Sequence, residues 1–69
     1  MTTYNIVFSK MYCTINGKKY YIIYDILKDF KPVAGDIVYC TGIETVLLGA
    51  IIAICYTNNV FFNLDMEVS

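Results

Sequence analysis

The chain has no histidine and no arginine, and a single proline among its 69 residues. Without histidine, Ser–His and Cys–His catalysis are excluded. Cys13, Cys40 and Cys55 also lack an imidazole to complete a tetrahedral zinc set. Without arginine, no side chain grips a phosphate bidentately. The five basic residues are all lysines (Lys10, Lys18, Lys19, Lys28 and Lys31), set against six carboxylates for a formal charge of −1. Such a balance argues against tight, salt-dependent nucleic-acid binding. It equally lacks the strong acidity that a DNA mimic needs. Asp25, Asp29, Asp36, Glu44, Asp65 and Glu67 show no spacing that marks an acid–base pair. No glycine-rich phosphate loop occurs, and GDIVYCTG does not match one. The expectation is a protein that is not an enzyme and carries no cofactor and no metal.

The three cysteines are widely spaced, with no C-x-x-C, and the start MTTYNIVFSK has no basic stretch followed by a long apolar one. These features predict free, buried thiols in a reducing cytoplasm, that of the host if the protein is viral.

What is abundant is apolar surface. Hydrophobic residues make up 58% of the chain, against about 45–50% in an ordinary globular domain. One domain of this size, residues 1–69, buries only about 60% of the surface its unfolded chain exposes. The excess must lie against a membrane, a second copy or a partner.

Tyr4 to Ile15 is rich in β-branched and aromatic residues, and Asn16-Gly17 separates it from KKYYIIYDIL. Asn-Gly between two such runs predicts a two-residue type I′ hairpin. Its register pairs Ile15 with Lys18, Cys13 with Tyr20, Met11 with Ile22 and Ser9 with Tyr24, and sets Tyr12 facing Tyr21 on the other side. DFKPVAGD is a break, because Pro32 cannot donate to a ladder; DILKDF just before it fits one short helical turn. Ile37 to Thr41 is a third strand, Gly42 to Thr45 a turn, Val46 to Tyr56 a fourth strand bent at Gly49, and Val60 to Met66 a fifth. Glu67-Val68-Ser69 is expected to fray. No apolar 3.6-residue period runs past two turns, so no long helix is predicted. The expected fold is all-β: a curled, antiparallel sheet or barrel of five to six strands.

VLLGAIIAICYTNNVFFNL, residues 46 to 64, carries no charge. A membrane helix needs about 20 mostly apolar residues, whereas this run reaches eleven before Thr57-Asn58-Asn59. The reading is therefore a hairpin turning at Asn58-Asn59 rather than a membrane span. It places Cys55 opposite Phe62 and Ala53 opposite Leu64 on a core face. Ile52, Ile54, Tyr56 and Phe61 then lie on the other face, where aromatics mixed with polar groups fit either a protein interface or burial under another strand of the same barrel.

Residues 17 to 54 resemble one family. Tyr20 to Tyr24, Lys31 to Asp36, Ile37 to Tyr39 and Gly49 to Ile54 follow the pattern of an aromatic strand, a short loop, a Pro/Gly turn before a strand, and a Gly opening the next strand. This pattern is similar to the N-terminal DNA 3′-end-binding domain of the primosomal replication-restart helicase. The family's Val-Pro-Phe-Gly-like run is replaced here by Val38-Tyr39-Cys40-Thr41-Gly42, and the basic residues after it are missing. The resemblance implies a small β-barrel that binds a DNA 3′ end.

Two functions follow. The first is a cytosolic protein-interaction module, an accessory or inhibitory protein of a phage or mobile element. It binds a host protein and self-associates as a homo-oligomer through Ile52, Ile54, Tyr56 and Phe61. The second is a single-stranded nucleic-acid-binding barrel, with Tyr12, Tyr21 and Tyr24 stacking on bases and Lys18 and Lys19 near phosphates.

Overall fold

The computed structural model describes residues 1–67. Five strands form one mixed sheet: β1 (Thr3–Phe8), β2 (Cys13–Ile15), β3 (Lys18–Tyr20), β4 (Ile37–Ile43) and β5 (Phe61–Glu67). Two helices interrupt them, α1 (Ile23–Asp29) between β3 and β4, and α2 (Val46–Thr57) between β4 and β5. The spatial order is β3-β2-β1-β4-β5, so β3 and β5 are the edges and the sheet does not close. β1, β2 and β3 pair antiparallel, while β1–β4 and β4–β5 pair parallel.

The first hairpin forms as its turn residues dictate. Asn16 and Gly17 take φ of 49° and 89°, the two positive angles of a type I′ turn. Cys13 pairs with Tyr20 and Ile15 with Lys18. The asparagine side chain closes the corner further: its Oδ1 accepts the Asn5 N–H at 2.7 Å and its Nδ2 donates to the Thr3 carbonyl at 3.3 Å. Tyr4 to Ile15 is not one strand, however. Residues 9–12 turn the chain, with Ser9 N–H donating to the Tyr12 carbonyl at 2.8 Å. The pairs Met11–Ile22 and Ser9–Tyr24 therefore do not form.

The segment Val46–Thr57 is the main correction. It is a helix of twelve residues, not a strand. β4 and β5 run parallel, which a hairpin cannot connect; the crossover requires a longer element, and α2 supplies it. The pairs Cys55–Phe62 and Ala53–Leu64 disappear with the hairpin, and Gly49 to Ile54 is helix rather than strand. Asn58 and Asn59 end the helix instead of turning a hairpin. Val60 N–H donates to the Cys55 carbonyl at 2.9 Å and Asn59 N–H to the Tyr56 carbonyl at 3.4 Å, with Asn59 at φ 53°. This is a Schellman-type stop. Gly42 lies inside β4 rather than in a turn, and Glu67 belongs to β5; Val68 and Ser69 of the expected frayed tail lie outside the described residues. A mixed, open sheet with two helices thus replaces the antiparallel, all-β barrel. The number of strands, five, matches the expectation, but the strands do not: Tyr4–Ile15 supplies two of them and Val46–Tyr56 none.

One core holds the layers together. Ile6 and Phe8 of β1, Cys13 and Ile15 of β2, Tyr20 of β3, and Val38 and Cys40 of β4 share one sheet face with Ile26 of α1 and Leu47, Leu48, Ile51 and Cys55 of α2. Both helices therefore cover the same side. Tyr4 joins this layer by meeting the Phe30 ring edge-on, with centroids 5.0 Å apart.

Candidate interaction surface

Because both helices pack on one face, the opposite face of the sheet is left uncovered by the described residues. Strand alternation and register fix what it presents. One row crosses all five strands: Asp65, Thr41, Val7, Thr14 and Lys19. A second runs Asn63, Tyr39, Asn5, and a third Phe61, Ile37, Thr3. Val7, Tyr39 and Phe61 are exposed there by 46%, 42% and 63%. The centre is apolar and aromatic with small polar neighbours. Charge sits only at the borders, Lys19 on one edge strand and Asp65 and Glu67 on the other, about 19 Å apart at four strand spacings.

The candidate nucleic-acid residues are partly brought together on this face. Tyr12 and Tyr21 lie with ring centroids 5.5 Å apart, and the Lys19 ammonium sits 4.7 Å from the Tyr12 centroid. Lys18 is engaged elsewhere: its Nζ lies 3.1 Å from Asp29 Oδ2, which also accepts the Tyr20 hydroxyl at 3.0 Å. Hydrogen bonds from Lys18 and Tyr20 hold the Asp29 carboxyl below its ordinary value, and the Asp29 bond raises Lys18. That cluster ties β3 to the end of α1. Tyr24 stands apart on α1, 71% exposed.

The four candidate interface residues do not form one strand face, since three of them are on α2. Tyr56 and Phe61 line one hollow with Asn59 and Phe62 where α2 turns into β5. Ile52 and Ile54 are half-buried against the core. Ile54 also borders an apolar groove between the helices, with Ile23 and Leu27 of α1 and Ala50 and Ala53 of α2. Tyr39 and Val7 were not singled out from the sequence. The signal lies in the alternation: in both Tyr4–Phe8 and Ile37–Thr41 the odd positions share one face.

The three cysteines are free and buried. Burial pushes the Cys13 thiol up to about 11 and the Cys40 thiol to about 12, the latter helped by the neighbouring Cys55 and Cys13. Among the described residues no helix is long and apolar enough to cross a membrane, and no group of three or more potential ligands is arranged for a metal. Comparison with protein-family models, curated proteins and solved structures finds no match to this chain.

Proposed function

We propose that the protein is a protein-binding module that acts by occupancy, covering a partner's surface with its open sheet face. One observation carries this reading. The described residues leave fourteen large hydrophobic side chains exposed, as many as the fourteen that build the core, and an uncovered sheet face holds Val7, Tyr39 and Phe61 among them. Soluble monomers rarely leave a contiguous apolar patch without use. An apolar, aromatic centre with charge confined to the rim is the composition of a protein interface. The partner's surface would be apolar at its middle, acidic opposite Lys19 and basic opposite Asp65 and Glu67. An accessory or inhibitory role in the cytosol, as for a phage or mobile-element protein, fits such a module.

The Tyr12–Lys19–Tyr21 cluster favours a second reading, in which single-stranded nucleic acid stacks on the same face. The acidic border at Asp65 and Glu67 and the lack of arginine weigh against it.

Affinity isolation with wild type and with the double variant Val7→Asp, Tyr39→Asp separates the two. The protein-binding reading expects a partner retained by wild type at low and high salt and lost by the variant. Oligonucleotide binding that weakens steeply with salt and disappears in Lys19→Ala would replace it with the nucleic-acid reading.

A further inference from the structure

The sheet's two edges are unlike. β3 is three residues long, whereas β5 runs for seven, as long as the central strand β4. β5 carries no proline and no lysine, two of the devices that protect an edge; its two charges, Asp65 and Glu67, stand on the open face and leave the Phe62–Leu64–Met66 side apolar. Its hydrogen-bonding phase is fixed by the ladder to β4. The Glu67 carbonyl accepts the Glu44 N–H, so alternation turns the backbone of Phe61, Asn63, Asp65 and Glu67 toward β4. The N–H and C=O groups of Phe62, Leu64 and Met66 therefore point away from the sheet. The side chains of these same three residues lie on the helix-covered side. Phe62 and Met66 pack partly against the core, while Leu64 remains 44% exposed.

We propose that β5 pairs antiparallel with β5 of a second copy about a two-fold axis at Leu64, joining the two sheets into one. Backbone phase and charge together select this register. The outward backbone groups are those of even-numbered residues, and this register sets even against even: Phe62 with the partner's Met66, and Leu64 with the partner's Leu64. All pairs on the helix side are then apolar. On the open face Phe61 meets the partner's Glu67, and Asn63 meets the partner's Asp65, so no like charges oppose each other. Sliding two residues one way would set Asp65 against itself, which is destabilising. Sliding two residues the other way leaves Glu67 without a cross-strand neighbour in β5. Two-fold symmetry lets one edge satisfy both chains. The pairing doubles the open sheet face and does not depend on what that face binds.

Sedimentation over about 10 μM to 1 mM brackets the weak affinity that so small an interface supports. Wild type is expected to shift from monomer to dimer. Leu64→Pro removes an N–H that the β4 ladder does not use and sits where an edge tolerates proline. It is expected to remain folded and to self-associate at least about tenfold more weakly. Leu64→Lys, which sets two like charges across the axis, is expected to do the same. Tyr39→Asp, on the open face, should dimerise as wild type does, which separates this surface from the proposed partner site.

Register is read by disulfide trapping. Opposed residues of a hydrogen-bonded antiparallel pair have Cα atoms about 5.5 Å apart, within disulfide reach. Leu64→Cys should cross-link readily under mild oxidation, and Asn63→Cys, displaced from the axis, far more slowly. The native cysteines are buried and stay silent. A wild type that stays monomeric throughout overturns the proposal. So does a dimer that survives Leu64→Lys or is lost with Tyr39→Asp. Equal cross-linking at positions 63 and 64 overturns the register, and that readout stands even if Leu64→Pro fails to fold.

Discussion

Gly42 of β4 lies directly against the main chain of Phe8 in β1. A Cβ built at Gly42 would overlap the Phe8 carbonyl oxygen and stand 2.9 Å from its amide nitrogen, and the residue holds φ at +105°. The two residues are partners in the parallel ladder that joins the halves of the sheet. Gly42→Ala therefore incurs both backbone strain and a clash with immobile backbone. The expected cost is roughly 2–4 kcal/mol. Gly17 isolates the first of these effects, because its φ is +89° but nothing lies within 4 Å of its Cβ position. Gly17→Ala should cost about 1 kcal/mol, and Gly17→Val about 1–3 kcal/mol as a β-branched residue in a strained turn. Urea titration of the variants measures this order, and equal losses at the two sites would show that close approach at Gly42 does not matter.

The contrast between Asn16-Gly17 and Asn58-Asn59 explains how far the sequence can be read. Both pairs carry a residue at positive φ. The first is flanked by strands on both sides, and the type I′ hairpin it predicts is present with its register. The second gives the same signal at a helix end, where a positive φ closes a Schellman stop. What precedes it, VLLGAIIAICY, is apolar on every side, so it has no 3.6-residue contrast to reveal a helix. Its length was the better guide, since buried strands run about 4–8 residues and helices about 10 or more. Read as a strand, this segment makes β4–β5 antiparallel and creates the interface face built on Ile52 and Ile54; the parallel β1–β4 pair is hidden separately, because α1 carries the chain from β3 to β4 where DFKPVAGD reads as a turn. Tyr12 facing Tyr21 was legible because it depends only on the local turn.

Asp36 is the one buried carboxylate of the described residues, 6% exposed. Its Oδ1 accepts the Thr2 N–H at 2.8 Å and its Oδ2 the Val33 N–H at 2.9 Å. It thus fastens the start of β1 to the turn that launches β4. These bonds, that from Val33 first, hold its carboxyl below the ordinary 3.8. A carboxyl whose value is lowered by folding contributes stability that is fully present above 3.8 and lost as pH falls through the folded value. Thermal melts should therefore drop with acidification below that point. Asp36→Asn should melt lower than wild type at neutral pH and show a flatter acid limb. An unchanged acid limb in this variant would mean that another carboxylate dominates.

The thiols give the opposite sign. Cys13 is raised to about 11 and Cys40 to about 12 by burial, against an ordinary 9.0. Folding favours the protonated thiols, so their contribution is intact below pH 9.0 and is lost as pH rises from there. At about pH 8 none of the three should react with a thiol-specific disulfide reagent in the native protein, because the attacking species is the thiolate. All three should react once the chain is unfolded in denaturant. Fast native modification of any one would show that the core opens readily around it.

Gly49 offers the sharpest test of α2. It lies in the interior of the helix, exposed, with nothing within 4 Å of its Cβ position. Glycine in a helix costs about 0.5–1 kcal/mol relative to alanine, through the backbone freedom it gives up on folding. Gly49→Ala should therefore stabilise the protein by about that amount. A bend or bulge in a strand would demand the reverse, since glycine is the residue such a site requires. Two further variants carry the same distinction. Leu48 is buried and Ala53 is exposed, whereas a hairpin would put Ala53 inside opposite Leu64. Leu48→Ala should cost about 2–5 kcal/mol through the cavity it leaves, and Ala53→Lys should stay within about 0.5 kcal/mol of wild type. Denaturant melts followed by the helical circular-dichroism band decide all three. A destabilised Gly49→Ala together with an unfolded Ala53→Lys would reinstate a strand at this position and remove the parallel β4–β5 pair with it.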